Sequence, residues 1–257
     1  MKILYPCGQS IPPSTLAALR FAGKTGFIGR ETWERFFALG TSRSKRRQID
    51  RLVMRGYLRP HRNTEAVGAF VIGPRALALL SEQHWSYVAP VPIGQLGHDK
   101  TVGHSLMALE QEGLIHSWVT ERELIRDRDR HYLVQKKDSM AKYPDAIFKM
   151  HAFGSSMTTA LEYEANRKSS SRYKAILRAY SGMTDLSMVL FVCQNATIQK
   201  TIQGCLKQFG QTTLWRQVAF ADAEEWKKSP ANAAITIRRG TIRLGEICAK
   251  ASKQWAA

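Results

Sequence analysis

Three carboxylates stand at spacings that could bring them together in the folded chain. Residues 143–148 are predicted to form a strand that begins with Pro-Asp, which puts Asp145 at a strand start, where proline costs no hydrogen bond of the sheet. Residues 158–165, after a Gly-Ser turn, are predicted to form a second strand. Period-two alternation then puts Glu162 and Glu164 on the same face. If the two strands pair as a hairpin, Asp145 comes close to Glu162.

Converging carboxylates repel one another and need a cation or a shared proton. Hard oxygen ligands suit Mg²⁺ or Mn²⁺, ions that keep several waters and also bind substrate phosphate. Such an ion can activate a water molecule and neutralise charge that builds on a phosphoryl group. Four cationic side chains follow the second strand: Arg167, Lys168, Arg172 and Lys174. The combination predicts metal-dependent chemistry on a phosphodiester rather than on a sugar or a peptide.

A simpler interpretation of the same residues involves no chemistry. Two glutamates on one face of a strand most often simply face solvent, and Pro-Asp commonly opens a turn. Tyr173 and Tyr180 lie on the apolar stripe of a predicted helix over residues 170–181, which favours a place in the core over a role as nucleophile. His98 and His104 are spaced so that they share a helix face poorly, and neither is predicted to be a ligand.

The charge balance points to a polyanionic partner. The 257 residues hold 38 Lys and Arg against 21 Asp and Glu, a net charge of +17, which favours nucleic acid or an anionic membrane surface. No apolar run approaches the roughly 20 residues of a membrane-spanning helix, and the N-terminus lacks the apolar core of a secretory signal. No membrane insertion is therefore predicted. The four cysteines show neither paired zinc spacing nor a disulfide framework, which predicts a reduced, cytoplasmic protein.

Residues 1–90 have the element order of a winged helix-turn-helix domain. Two predicted helices precede a third, capped at Thr41 or Ser42, and two strands follow over residues 57–59 and 69–72. In that architecture the third helix enters the major groove of DNA and the wing contacts phosphates.

Basic residues crowd the third predicted helix. They are Arg43, Lys45, Arg46, Arg47 and Arg51. Residues 1–90 hold 14 Lys and Arg and 5 Asp and Glu, a net charge of +9. We predict that this helix binds double-stranded DNA, mainly through phosphates, which gives affinity rather than sequence choice. The alternative is a solvated basic helix in a small helical domain.

A Pro- and Gly-rich stretch over residues 89–94 is a candidate domain boundary, which leaves residues 91–257 as a second domain. Helices and strands alternate along it. Residues 186–193 are predicted to form a central strand, apolar on both faces, and residues 213–220 a further strand. The pattern predicts a two-domain α+β protein.

The stretch PDAIF…ALEYEANRKSSSRYKAILRAY resembles the replication-relaxation family, and within it the MobC-type relaxases of mobilisable plasmids. The resemblance covers most of residues 95–195 and, more loosely, the winged helix. Further residues that carry it are His98, Trp118-Val119-Thr120-Glu121, Lys168-Ser169 and Arg172-Tyr173. It implies an N-terminal winged helix followed by a domain of restriction-endonuclease type, which is a mixed β-sheet flanked by helices.

The signature of that nuclease fold is Pro-Asp on one strand and Glu-x-Lys on the next. Pro144-Asp145 matches the first part and Glu162 matches the glutamate, but Glu164 stands where the signature has lysine. In nucleases of this fold the lysine helps to orient the water or to stabilise the phosphorane, and it can be supplied from a nearby helix. Lys168 is the candidate for that role.

The first candidate function is a metal-dependent DNA endonuclease, a plasmid mobilisation relaxase that binds and nicks DNA at a transfer origin. Accessory mobilisation proteins or a coupling protein are further expected partners. Asp145, Glu162 and Glu121 would hold Mg²⁺ or Mn²⁺. The expected catalytic set is Asp145, Glu162, Glu164 and Lys168, and Arg167 and Arg172 would contact DNA.

The second candidate function is a non-catalytic DNA-binding regulator, or a replication or transfer accessory protein, on a degenerate nuclease fold. A fold does not by itself imply activity, and Glu164 in place of lysine favours this alternative. An RNA-binding protein would need exposed stacking aromatic residues on a sheet, and no such cluster is evident in the sequence.

Overall fold

A computed structural model describes residues 11–61, 68–128, 130–137, 140–152, 154–208 and 212–248 of the chain. The chain divides into two compact units between Lys100 and Thr101. The predicted boundary between residues 90 and 91 lies earlier in the chain than this division.

The first unit follows the predicted order of helix, helix, basic helix and hairpin. Its elements are α1 (Pro13–Thr25), β1 (Ile28–Gly29), α2 (Arg30–Phe36), α3 (Ser42–Met54), β2 (Leu58–Pro60), β3 (Ala69–Ile72) and α4 (Pro74–Glu82), with α5 (Leu96–Gln111) running across the division. In the described part of this unit, three strands form an antiparallel sheet in the order β1-β3-β2. The predicted hairpin is therefore confirmed as the β2–β3 pair.

Local chemistry fixes both ends of the basic helix α3. The Thr41 hydroxyl accepts a hydrogen bond from the backbone N–H of Ser44 at 3.4 Å, which satisfies one of the amides left unpaired at a helix start. Gly56, with φ of +72°, ends the helix in the left-handed region that glycine adopts at little cost. Ile49 and Leu52 are buried, so the opposite face of α3 turns its basic residues to solvent.

The second unit is built on one large mixed sheet. Its elements are β4 (Ile115–Thr120), α6 (Glu121–Asp127), β5 (Gln135–Lys137), β6 (Met140–Lys142), β7 (Ala146–Ala152), β8 (Ser155–Glu164), α7 (Ser170–Ser181), β9 (Met188–Cys193), α8 (Ala196–Gln208), α9 (Thr212–Gln217), β10 (Val218–Asp222), α10 (Ala223–Lys228), β11 (Ile235–Ile237) and β12 (Gly240–Ile242). Among the described residues, seven strands have the order β12-β11-β10-β9-β8-β7-β4. The β8, β9 and β10 strands are parallel, and the remaining pairs are antiparallel.

The core of this unit lies around β9, whose six residues are all buried. Helix α7 turns an apolar stripe toward this core, and the Tyr180 and Phe191 rings meet edge to face at 6.4 Å between centroids. Phe191 in turn stacks on Phe220 of β10 at 6.0 Å. The predicted central strand, apolar on both faces, is confirmed.

One predicted strand was wrong in part. Residues 213–220 were expected to be extended, but helix α9 (Thr212–Gln217) occupies most of that range and β10 begins at Val218. Leu214 of α9 and Val218 are both buried in the same core, so the helix continues the apolar run that was interpreted as strand. A short apolar run bounded by polar residues does not by itself distinguish the two structures.

None of the helices within the described ranges is long and apolar enough to cross a membrane.

Close backbone packing in the first unit predicts a strong effect of one methyl group. A Cβ added at Gly73 would lie 2.4 Å from the backbone oxygen of Gly56, whereas a Cβ at Gly94 would meet nothing within 4 Å. We expect Gly73→Ala to lower the free energy of unfolding by about 1–3 kcal/mol, the usual cost of overpacking. Gly94→Ala is the control and should change it by less than about 0.5 kcal/mol. Urea unfolding measures both, and equal stabilities would contradict the close approach.

Candidate functional site

The β7–β8 hairpin brings the predicted carboxylates together. Ala146 is paired with Leu161, so Asp145 and Glu162 are the next residues along the same antiparallel ladder. The Asp145 Oδ2 atom accepts a hydrogen bond from the backbone N–H of Tyr163 at 2.7 Å. The expected proximity of Asp145 and Glu162 is therefore confirmed, and Asp145 is tied to the strand that carries its partner.

These carboxylates do not form a solvated face. Glu162 is 0% exposed, Glu164 1% and Asp145 7%. The interpretation of Glu162 and Glu164 as an ordinary solvent-facing pair is wrong, because helix α7 covers this side of the sheet. Burying ionised groups is costly unless they are paired and hydrogen-bonded, so the surroundings of each carboxylate must supply donors.

Glu162 receives its donor from helix α7. The Tyr180 hydroxyl donates to Glu162 Oε1 at 2.5 Å, and both side chains are buried. Burial, followed by the neighbouring charge of Glu162, raises the pKa of Tyr180 well above its ordinary value. The hydroxyl therefore keeps its proton at neutral pH and acts as a donor.

Glu164 is held by a lysine and a second tyrosine. The Lys168 ammonium donates to Glu164 Oε1, and the Tyr173 hydroxyl donates to Glu164 Oε2 at 3.2 Å. The backbone N–H of Lys168 donates to the same Tyr173 oxygen at 3.2 Å, which closes a ring of hydrogen bonds. The predicted candidate for the signature lysine thus points into the carboxylate cluster rather than away from it.

The charges of the cluster act on one another. Burial raises the pKa of the Glu164 carboxyl; the adjacent Lys168 charge opposes this, and the charges of Glu162 and Asp145 raise the pKa further. Asp145, Glu162 and Glu164 therefore share one buried region, and Lys168 is bonded to Glu164. Carboxylates this close repel one another unless a cation or a shared proton lies between them.

Glu121 lies beside the strand that leads to Asp145. Its backbone N–H donates to the Asp145 carbonyl at 3.0 Å, and its Oε1 atom accepts from the backbone N–H of Tyr143 at 3.4 Å. Within the described ranges, no group of three or more His, Cys, Asp or Glu residues stands where it could hold a metal ion. Metal binding by Asp145, Glu162 and Glu121 stays a prediction, and the Glu121 carboxylate contacts the chain beside Asp145.

Asp145 and Glu162 are oxygen donors of the type that Mg²⁺ and Mn²⁺ prefer. Magnesium is commonly bound by only one or two carboxylates, with waters and substrate phosphates completing its octahedron. Asp145 and Glu162 supply two hard oxygen ligands on adjacent strands. Glu164 is the less suitable ligand, because both of its oxygens already accept hydrogen bonds.

Cys193 stands next to Glu164 in the parallel β8–β9 ladder but is no nucleophile at neutral pH. Burial, together with the charge of Glu164, raises the pKa of its thiol to about 12. It is a free, buried cysteine, as the apolar run around it predicted.

Exposed basic residues lie in both units. Arg167 and Arg172 are exposed at the start of α7, on either side of Lys168 in the chain. On α3, Arg43, Arg46, Arg47 and Arg51 are exposed as expected for a DNA-binding face.

Lys45 differs from its neighbours on α3. Its ammonium donates to the backbone oxygen of Glu34 at 2.6 Å, near the end of α2. The backbone oxygen of Lys45 also accepts from the Trp33 indole at 3.1 Å. Lys45 thus joins α2 to α3, a role that its position in a run of basic residues did not predict.

A pocket of about 220 Å³ lies along the exposed face of α3. Its lining consists of Thr41, Arg43, Ser44, Arg47, Gln48 and Arg51. Three arginines spaced four residues apart fall on one face of a helix. The pocket therefore has the size and charge to receive an anionic group such as a phosphate.

The tyrosines were the residues whose role the sequence prediction missed. Tyr173 and Tyr180 are core residues as expected, but their hydroxyls hold the two glutamates of β8. A buried tyrosine usually finds a partner for its hydroxyl, and two buried glutamates need donors. Those two requirements together were the signal from which the tyrosine–glutamate hydrogen bonds could have been predicted.

A scan against protein-family models and searches of curated proteins and of solved structures found no match for this chain.

Removing only the lysine of the Lys168–Glu164 ion pair should lower stability more than removing both charges. Lys168→Met leaves a carboxylate unpaired in a buried site, and we expect a loss of about 3 kcal/mol in unfolding free energy. This is the low end of the usual range, because the Lys168 side chain is 20% exposed. The double variant Glu164→Gln/Lys168→Met should lose less, since no unpaired charge remains.

Lys200→Met is the matched control, because Lys200 is exposed on α8 in the same unit. It should alter the unfolding free energy by less than about 0.5 kcal/mol. Guanidinium unfolding followed by circular dichroism gives all three values. A Lys168→Met protein as stable as the control would contradict the buried ion pair.

Proposed function

We propose that the protein is a metal-dependent DNA endonuclease. The observation that carries the proposal is the pairing of Asp145 with Glu162 across the β7–β8 hairpin, with the Lys168 ammonium directed into the same buried cluster by Glu164. These residues resemble the Pro-Asp, glutamate and lysine constellation of restriction-endonuclease-like domains, with the lysine four residues after the signature position. The mixed sheet of the second unit, with α7 packed on it, supports the same assignment.

Each residue has a distinct role in the proposed site. Asp145 and Glu162 would hold Mg²⁺ or Mn²⁺, which, when bound, supplies an activated water and neutralises charge on the scissile phosphate. Lys168 offers a positive charge to the negative charge that develops in the transition state. Glu164 orients Lys168. The positive charge that the signature places at position 164 is therefore supplied by Lys168, four residues later in the chain.

The basic surfaces support DNA as the substrate. The net charge of +17 favours a polyanion, and three exposed arginines of α3 line a pocket of about 220 Å³. We interpret the first unit as a winged helix-turn-helix domain that uses α3 to bind duplex DNA, with Arg167 and Arg172 as further phosphate contacts near the active site.

The resemblance to MobC-type relaxases narrows the proposal. A relaxase nicks one strand at the transfer origin of a mobilisable plasmid, in the cytoplasm, and works with accessory mobilisation proteins or a coupling protein. We propose this role for the chain on the strength of the resemblance, with the nuclease site argued independently from its geometry.

One observation favours a second candidate, a DNA-binding regulator or accessory protein on a degenerate nuclease fold. Glu162 is wholly buried and bonded to Tyr180, and Glu164 has both oxygens engaged. Carboxylates satisfied in this way could serve the structure alone. Cleavage assays separate the two candidates.

The proposed nuclease predicts metal-dependent nicking of supercoiled plasmid that carries the protein's own origin region. Nicked circles should form with Mn²⁺ or Mg²⁺ and disappear with chelator, because the hydrolytic water needs the ion. Asp145→Asn and Glu162→Gln should abolish nicking while retaining DNA binding. Gel electrophoresis and a filter-binding assay provide the two readouts.

Glu112→Gln serves as the control, since Glu112 is an exposed carboxylate of the same unit that follows α5. It should nick at the wild-type rate. Tight, salt-sensitive DNA binding without nicking by the wild-type protein, with both metals, would sink the nuclease proposal and leave the regulator.

The α3 surface predicts a separable effect on DNA affinity. Arg47→Ala should weaken binding to related and unrelated duplexes alike, and it should reduce the slope of log K against log salt by about 0.9, the value for one phosphate contact. Lys45→Met is the control from the same helix, because its ammonium is bonded to Glu34. Fluorescence anisotropy over a salt series measures both slopes; equal slopes for Arg47→Ala and wild type would argue against α3 as the DNA-binding face.

A further inference from the structure

The two tyrosines of helix α7 are spaced to meet the two glutamates of strand β8. Tyr173 and Tyr180 are seven residues apart, which puts them two turns apart on one helix face. Glu162 and Glu164 are two residues apart, which puts them on one strand face. Each tyrosine hydroxyl reaches a different glutamate, at 3.2 Å from Tyr173 to Glu164 and at 2.5 Å from Tyr180 to Glu162.

Packing alone does not require these hydroxyls. Tyr173 is 0% exposed and Tyr180 1%, in a stripe otherwise made of Ile176 and Leu177. A phenylalanine would fill nearly the same space without the cost of burying a polar group. The hydroxyls are placed at the two points where β8 buries carboxylates, so their contribution is directional hydrogen bonding.

We propose that Tyr180 and Tyr173 are positioning residues of the metal-dependent site, each for a different component. Tyr180 fixes the orientation of Glu162 and thereby the metal-binding oxygens. Tyr173 fixes Glu164 and through it the Lys168 ammonium. The inference rests on the proposed nuclease function and deepens it.

The two tyrosines act on separate steps because their partners differ. Tyr180 contacts a proposed metal ligand, and donors of this kind typically contribute 10–100-fold to metal affinity or activity. Tyr173 bonds Glu164 Oε2 and accepts from the backbone of Lys168, whose ammonium is on Glu164 Oε1. Loss of the Tyr173 hydroxyl therefore loosens the lysine at both ends and leaves Glu162 bonded to Tyr180.

These separate roles predict that the two variants differ in two measurements on the full chain, Mn²⁺ affinity and the nicking rate at saturating metal. Tyr180→Phe should weaken Mn²⁺ binding about 10–100-fold, measured by electron paramagnetic resonance without DNA, and nicking should recover as Mn²⁺ is raised to saturation. Tyr173→Phe should bind Mn²⁺ as the wild type does but nick about 10–100-fold more slowly at saturating metal, a change in kcat rather than in KM.

Tyr132→Phe is the matched control. Tyr132 packs against the same core, but its hydroxyl donates to the Asp185 carboxylate at 2.7 Å, outside the cluster on β8. It should match the wild type in both Mn²⁺ affinity and nicking rate. Circular dichroism and thermal melting establish whether each variant is folded. If either Tyr173→Phe or Tyr180→Phe does not fold, the other variant still tests the proposal.

Failure of the inference is distinguishable from failure of the proposed function. A wild-type protein that neither binds Mn²⁺ nor nicks DNA overturns the nuclease itself. A wild-type protein that does both, with Tyr173→Phe and Tyr180→Phe indistinguishable from Tyr132→Phe, leaves the nuclease standing and overturns the positioning role. Equal losses of Mn²⁺ affinity in both α7 variants would overturn the division of roles, because a general loosening of α7 would explain them.

Discussion

The burial of charge on strand β8 is the constraint on which the second unit depends. Glu162 and Glu164 are withdrawn from water on the face that α7 covers. An ionised carboxylate in such a position is tolerated only where charged or hydrogen-bonding partners replace its hydration. Helix α7 and the turn before it supply those partners, so the packing of the unit and the hydrogen bonding of its buried carboxylates are parts of one arrangement.

Much of this arrangement follows from local sequence. The Thr41 cap, the glycine after α3, the apolar stripe of α7 and the uniformly apolar β9 predicted their elements, because each signal acts over only a few residues. The hairpin that joins Asp145 to Glu162 was predicted from alternation and one turn. The expectation of a nucleic-acid partner followed from charge, which is a property of the sequence and not of the fold.

What sequence could not predict depends on contacts between distant residues. Burial of Glu162 and Glu164 requires α7 to fold back over β8, and a strand pattern alone is compatible with either a wet or a dry face. The bond from Lys45 to Glu34 and the placement of Glu121 against Tyr143 depend on how separate elements meet. The α9 helix was misassigned because its apolar residues satisfy the same core that a strand would have satisfied.

The order of residues along the chain sets the order in which the buried cluster on β8 can assemble. Both glutamates of β8 are synthesised before the lysine and tyrosines that stabilise them. A nascent chain that has reached the end of β8 therefore carries Glu162 and Glu164 before the Lys168, Tyr173 and Tyr180 donors exist. The buried cluster is complete only when α7 docks on β8, so a ribosome-bound fragment that ends before Tyr180 lacks the hydroxyl that donates to Glu162.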